Sequence, residues 1–221
     1  MPIVTAIAPD PRRPGYHVID VDRGRFGSLP VEALEAASLQ VGQTLAPQLL
    51  EFLHELADVE AAYRAALKAL AARGRARGDL ERRLVRKQHP PHAVQQALDR
   101  LVRQGLLDDA RFAREYVARR ATTGRGPARL VGELMAQGIE RRAAEAAVEA
   151  GLAFEGVDPA EVLRAVAMRR AAQLKSLPRV TRKRRLYAFL ARRGYPGAAV
   201  RELVEELMGE AAEPESGSMH D

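Results

Sequence analysis

A leucine pair followed at fixed distances by a turn and a second apolar pair occurs three times in this chain, and no other feature restricts its fold as strongly. Leu80 and Leu84 lie four apart, as do Leu130 and Leu134, and Leu186 and Leu190. Four residues beyond each second leucine stand Gln88, Gly138 and Gly194, then Val94, Ala144 and Val200, then Leu98, Val148 and Val204. The copies are offset by 50 and 56 residues. Leucines at i, i+4 place one apolar face on a helix. Glycine beyond the stripe suits a left-handed C-terminal position, and the chain then turns into another helix. A further helical segment precedes each unit: Tyr63 to Leu70, Phe112 to Val117, and Val162 to Leu174. Each module is therefore expected to hold three helices, and a repeat of this period stacks on its neighbours. Pro127 suits the first position of a middle helix, with Gly126 before it. Thr181 is the expected N-cap of the third middle helix.

The first third has a different texture. Ile3 to Ile7 and Tyr16 to Val21 are short apolar runs rich in β-branched residues, and Phe26 and Leu29 follow a turn at Asp22-Arg23-Gly24. They predict a small antiparallel sheet over residues 2–29. Pro30 opens a short helix, Val41-Gly42-Gln43 is a loop, and a helical stripe runs from Pro47 to about Gly74 as one helix or two. The expected fold is mainly α: three tandem three-helix modules in an elongated curved array, with an N-terminal β-containing extension. The expected divisions are 1–46 for the extension, 47–107, 108–151 and 152–208 for the modules, and 209–221 for a disordered acidic tail.

Charge is unevenly distributed. Residues 1–62 hold four Lys+Arg against nine Asp+Glu, net −5, whereas residues 63–207 hold 31 against 16, net +15. A basic body of this kind suits a polyanion partner, although a solvated helix face has the same composition. Arg73, Arg75, Arg77, Arg82, Arg83, Arg86 and Lys87 crowd the first module, and Arg111, Arg114, Arg119, Arg120, Arg125 and Arg129 the second. Arg179, Arg182, Lys183, Arg184, Arg185, Arg192 and Arg193 crowd the third. Stacking of the modules would bring such groups along one surface, where guanidinium groups engage phosphates.

Catalytic signatures are absent from the sequence. There is no phosphate-binding loop ending in Lys-Ser or Lys-Thr, no His-Glu-x-x-His and no Gly-x-Ser-x-Gly. Cysteine is absent, which excludes disulfides and thiolate metal sites. His89 and His92 flank Pro90-Pro91 in a turn with no third metal ligand beside them. Asp108 and Asp109 precede an apolar helix and are expected to meet its dipole. Phe112, Tyr116 and Phe189 fall on apolar faces and are expected in the core, leaving no evident stacking platform for bases. No stretch reaches the ~18 apolar residues of a membrane span, and Met1 to Pro9 does not read as a signal peptide. The expectation is a cytoplasmic monomer without cofactor or metal.

Three segments resemble the RecX family: residues 73–87, RGRARGDLERRLVRK; residues 104–113, QGLLDDARFA; and the Gly126, Leu130, Leu134, Gly138, Ile139 spacing. The second is the most specific. The resemblance is good over residues 60–150 and weaker over 160–208. Two departures stand out: Gln88 replaces the usual glycine, and Ala76 stands where the family often has a serine cap. The resemblance implies a non-enzymatic modulator of the recombinase RecA that binds the RecA–DNA filament. It implies inhibition of strand exchange, ATP hydrolysis and coprotease function, and so a role in DNA repair, recombination and the SOS response. The implied partners are the RecA filament and single- and double-stranded DNA through phosphates, with no membrane partner. The candidate contact residues are Arg73, Arg75, Arg77, Arg82, Arg83, Arg86, Lys87, Arg125, Arg129, Arg182, Lys183, Arg184 and Arg185. A helix-turn-helix-like transcription regulator and a protein-only helical adaptor are the competing readings.

Overall fold

All six repeat leucines, Leu80, Leu84, Leu130, Leu134, Leu186 and Leu190, are among the largest fully buried side chains. The structure is a computed structural model that describes residues 1–22 and 24–209. The expected tail at 209–221 lies, apart from Gly209, outside the described residues. The chain forms two units, residues 1–108 and 109–221.

The first unit begins with strands β1 (Val4–Pro9), β2 (Tyr16–Val21) and β3 (Gly24–Pro30). They form an antiparallel sheet in sequence order, with Ile7 opposite Ile19 and Ile19 opposite Gly27. The sheet is the one expected, displaced by a residue or two. Helix α1 (Val31–Ala36) follows, with Pro30 in the cap position. Helix α2 (Pro47–Ala72) is a single 26-residue helix, so the open choice between one helix and two resolves to one.

Helix α2 serves two cores. Leu53 packs with Val4, Ile19, Leu29, Leu34 and Leu45 against the sheet. Farther along, Ala62, Tyr63, Ala66 and Ala69 pack with Leu80, Leu84, Val94, Leu98 and Leu101. The latter belong to α3 (Arg77–Arg86) and α4 (Pro91–Arg103). Small residues on the second half of α2 let the leucines of α3 and α4 approach closely. His92 lies in the first turn of α4, not in a turn beside His89.

The second unit holds α5 (Asp109–Ala118), α6 (Pro127–Ala136) and α7 (Arg141–Phe154), then α8 (Pro159–Gln173), α9 (Arg179–Arg192) and α10 (Ala198–Gly209). Ala113, Val117, Leu130, Leu134, Ala144, Val148 and Leu152 are the buried residues of α5–α7. Leu163, Ala167, Leu186, Leu190, Val200 and Val204 fill the core of α8–α10. Phe112, Tyr116 and Phe189 differ from expectation: each is only half-buried. Leucines, valines and alanines fill the seams, which leaves the rings at the rim.

The turn after each middle helix is the same in all three modules. Gln88, Gly138 and Gly194 have φ of 67°, 94° and 85°. The next residue, His89, Ile139 or Tyr195, donates its N–H to the carbonyl of Leu84, Leu134 or Leu190, at 3.1–3.2 Å. Gln88 thus takes the conformation that glycine takes elsewhere, at a steric cost of about 1 kcal/mol.

The helix starts vary more. Gly126 and Pro127 begin α6 as expected, and Ala76 stands at the cap of α3, fully buried and with no side-chain hydrogen bond. Thr181 is not an N-cap: α9 begins two residues earlier behind Pro178. The fixed φ of Pro178 ends the extended segment there, so Thr181 falls inside the first turn.

Gly126 and Gly194 also join α6 to α9. The Gly126 N–H donates to the Arg193 carbonyl at 2.6 Å. A Cβ at Gly126 would overlap the Gly194 backbone and come 2.9 Å from Tyr195 Cγ. One at Gly194 would come 2.8 Å from Arg129 Cα.

Candidate nucleic-acid interface

The helical turns fix where each basic side chain points. On α3 the buried Leu80 and Leu84 define the inner face, and Arg82, Arg83, Arg86 and Lys87 lie exposed around the remaining circumference. Arg83, Arg86 and Lys87 have no side-chain partner among the described residues, whereas Arg82 has one. The cations nearer the helix start are engaged. Arg75 is nearly buried; its Nη1 donates to Asp79 Oδ2 at 2.6 Å and its Nε to the Ala69 carbonyl at 3.2 Å. Arg73 stands 3.8 Å from the same carboxylate. Arg77 reaches Asp99 at 2.8 Å and Gln95 at 2.7 Å, tying α3 to α4.

The second module repeats the arrangement with different residues. Arg129 Nε donates to Glu133 Oε1 at 2.9 Å, and Arg125 Nε stands 3.6 Å from the same oxygen. Tyr116 donates its hydroxyl to Glu133 Oε2 at 3.0 Å. Burial would raise the Glu133 pKa, but the hydrogen bonds from Arg129 and Tyr116 and the two guanidinium charges outweigh it, leaving the carboxyl below its ordinary value. Burial and the nearby carboxylate together raise that of Tyr116. Arg129 Nη1 also donates to the Arg192 carbonyl at 3.0 Å, crossing to α9.

In the third module Arg182 Nε contacts Met208 Sδ at 3.2 Å, and Lys183 pairs with Glu205, both toward α10. Arg184 and Arg185 are exposed and without a partner among the described residues. The thirteen candidates therefore divide by role. Arg73, Arg75, Arg77, Arg125, Arg129, Arg182 and Lys183 are held by neighbouring side chains. Arg83, Arg86, Lys87, Arg184 and Arg185 project freely, and Arg82 is exposed but partnered.

No basic position of the middle helices repeats in all three modules, although Arg86 and Lys87 align with Arg192 and Arg193 of the third. Arg82 and Arg86 of α3 align with Gly132 and Ala136 of α6, and Arg83 aligns with Glu133 and with Phe189 of α9. The exposed face of α6 therefore carries none of the cations that α3 presents.

Two groups of residues escaped the sequence reading. Glu60 of α2 is 1% exposed, and receives Arg13 Nη2 at 3.1 Å and Arg100 Nη1 at 2.6 Å. Arg100 also donates to the Tyr16 hydroxyl at 3.2 Å, and Arg13 stacks 3.6 Å over the Tyr16 ring. Burial lowers the Arg100 pKa, but its bonds to Tyr16 and Glu60 leave it raised overall. This network joins the sheet extension to the first module. A glutamate inside an otherwise apolar helical stripe was its only sequence signal. The second group, Arg169 and Arg170 of α8, borders a concavity beside Phe189 together with Arg193, which the sequence had placed in the third basic cluster.

Among the described residues no cluster of His, Asp or Glu is placed to hold a metal, and no helix is long and apolar enough to cross a membrane.

These features define a tandem three-helix repeat protein with a basic, partly unpaired surface. Three family models match it in chain order: the first three-helix domain of RecX over residues 62–101, the second over 108–148 and the third over 157–204. The regulatory protein RecX of Pseudomonas syringae pv. tomato (strain ATCC BAA-871 / DC3000) is 41% identical over 134 residues, covering 60% of this chain and 83% of the relative. That of Thermobifida fusca (strain YX) is 37% identical over 162 residues, covering 68% and 84%. A crystal structure of a regulatory protein RecX superposes with a TM-score of 0.72 at 21% identity, covering 93% of this chain and all of that one. RecX from Lactobacillus salivarius gives 0.57 at 21% identity, covering 68% and 96%. The chain belongs to the RecX family of regulatory proteins.

Proposed function

We propose that this chain is a non-enzymatic regulator of RecA that binds the RecA–DNA filament and inhibits its recombinase, ATPase and coprotease activities. Its setting is then the cytoplasm, in DNA repair and recombination. Family membership supports the class of function. The observation that carries the filament reading is the set of exposed cations without carboxylate partners: Arg83 and Arg86 on α3, Lys87 at its C-cap, and Arg184 and Arg185 on α9. Uncompensated guanidinium groups on a rigid helix favour phosphates and release counterions on binding. The mechanism is steric and electrostatic: the bound chain opposes the subunit motions or additions on which ATP turnover depends.

ATP hydrolysis by RecA on single-stranded DNA, with this protein titrated in at moderate salt, tests the reading. Inhibition well below one molecule per RecA subunit is expected. Charge reversal of Arg83 and Arg86 to Glu should weaken it several-fold. DNA binding without any inhibition would refute the filament reading.

A further inference from the structure

We infer that the second unit carries a binding site for one unstacked nucleotide of a single-stranded nucleic acid, between the α5–α6 loop and the α8–α9 pair. A concavity of about 440 Å³ opens there, a size typical of small-ligand sites. Its walls include Thr123, Val166, Arg169, Arg170, Phe189 and Arg193. Most of the exposed lining is apolar, and three guanidinium groups border it. Arg170 and Arg193 lie 5.2 and 5.1 Å from the Phe189 ring centroid.

None of these three arginines has a carboxylate partner among the described residues. Arg193 Nη1 donates to the carbonyls of Thr123 and Gly124 at 3.3 and 3.4 Å, and Arg170 Nη1 to Gln173 Oε1 at 2.8 Å. The Arg170 Nε is buried with no hydrogen-bond partner.

A second, polar hollow of about 250 Å³ adjoins the first and shares Thr123 and Arg193 with it. Its other walls are Arg125 and Arg129, whose two charges face the single carboxylate of Glu133. The double site thus offers a cationic cup for a phosphate beside an aromatic and apolar wall for a flat ring. That pairing matches a nucleotide whose base has left the stack, since bases rest on aromatic rings and on guanidinium planes. An acidic peptide would satisfy the arginines but leave the Phe189 wall unused. Stacked duplex presents no free base to it. The joint is rigid enough to hold such a site, because Gly126 and Gly194 bring α6 and α9 into backbone contact.

The inference deepens the proposed function by locating a base contact, and it rests on that reading for the choice of DNA as the polyanion. Its test therefore leaves RecA out. Binding of the full chain to a dT oligonucleotide is compared with binding to an abasic oligonucleotide of equal length and charge, by fluorescence anisotropy. The wild-type chain should prefer dT by about tenfold, the scale of one base–aromatic stack. Phe189→Leu should bring the ratio of dT to abasic affinity close to one. Arg169→Gln should weaken both oligonucleotides alike, and Arg169 has no structural bond to lose. Photocrosslinks from 5-iodo-deoxyuridine should fall on peptides containing Phe189 or Thr123. Equal wild-type affinity for the two oligonucleotides, a preference that survives Phe189→Leu, or crosslinks confined to α3 would overturn the site. Displacement of dT by a poly-glutamate peptide of equal length and at equal concentration would also overturn it, in favour of an acidic-peptide site. Failure of ATPase inhibition with the dT preference intact would strike the filament reading and spare this one.

Discussion

Replacing Glu60 by Gln tests whether the sheet extension is locked to the first module by charge. The side chain keeps its volume and loses its charge, which leaves Arg13 and Arg100 facing one another without a counterion. Glu60 accepts two charge-assisted bonds, at 3.1 and 2.6 Å, each worth ~1.5–3 kcal/mol. Removing one partner of a fully buried ion pair costs ~3–5 kcal/mol. The arginine side chains keep 19% and 31% of their exposure, so both can rehydrate in part, and we take the lower end, about 3 kcal/mol. This corresponds to ~150-fold faster exchange of the amides that open only on global unfolding of the first unit.

Hydrogen exchange read by mass spectrometry resolves the two units, which a single melting curve does not. Peptides from β1–β3 and from the second half of α2 should lose protection together, and those from α8–α10 should not change. A variant with Met at positions 13, 60 and 100 should be more stable than the single Gln variant, because it leaves no unpaired charge. If Glu60→Gln accelerates exchange by less than about fivefold, a loss under ~1 kcal/mol, the network is not holding the unit together.

Four further outcomes follow from particular contacts. Gln88→Gly should stabilise the first unit by about 1 kcal/mol by relieving the left-handed backbone, measured by denaturant unfolding; a loss would mean the Gln88 side chain contributes more than its strain costs. Gly126→Ala should destabilise the second unit by about 2 kcal/mol or more through overlap with the Gly194 backbone, seen as faster exchange in α6 and α9. Glu133 has a folded-state pKa below its unfolded value, so its contribution is present above the unfolded pKa and is lost as pH falls through the lowered folded one; Glu133→Gln should flatten that acid limb of the stability curve of the second unit. Arg75→Gln should lower stability without a specific loss of DNA affinity, whereas the exposed Arg83→Glu and Arg86→Glu pair should lower DNA affinity and its salt dependence with little change in stability.

The architecture was legible because it depends on apolar spacing. Leu80 and Leu84 and their counterparts mark inner faces regardless of what covers the outer ones, and alternating β-branched residues mark the sheet. Thr181 misled because Pro178 sets the helix start from outside the apolar pattern. Phe112, Tyr116 and Phe189 misled because hydrophobicity alone does not say whether a ring fills a seam or borders it. The Glu60 network was hidden because its members lie on β1–β2, α2 and α4, and no local pattern links Arg13 to Arg100.

Arginine density alone does not separate cations held by a neighbour from those that project freely. In each module some cations around the start of the middle helix serve the fold, with different partners: Arg75 with Asp79, Arg129 with Glu133, Lys183 with Glu205. The partner moves from the same helix in the first two modules to α10 in the third, so the repeats preserve a need for neutralisation and not a residue pattern. A carboxylate within reach uses up much of the attraction an arginine would otherwise offer to a phosphate. Residues that retain it lie where no carboxylate follows, as at Arg83, Arg86 and Lys87, at Arg184 and Arg185, and at Arg169, Arg170 and Arg193. These cations differ from module to module, so a polyanion would meet each repeat differently even though all three share one core.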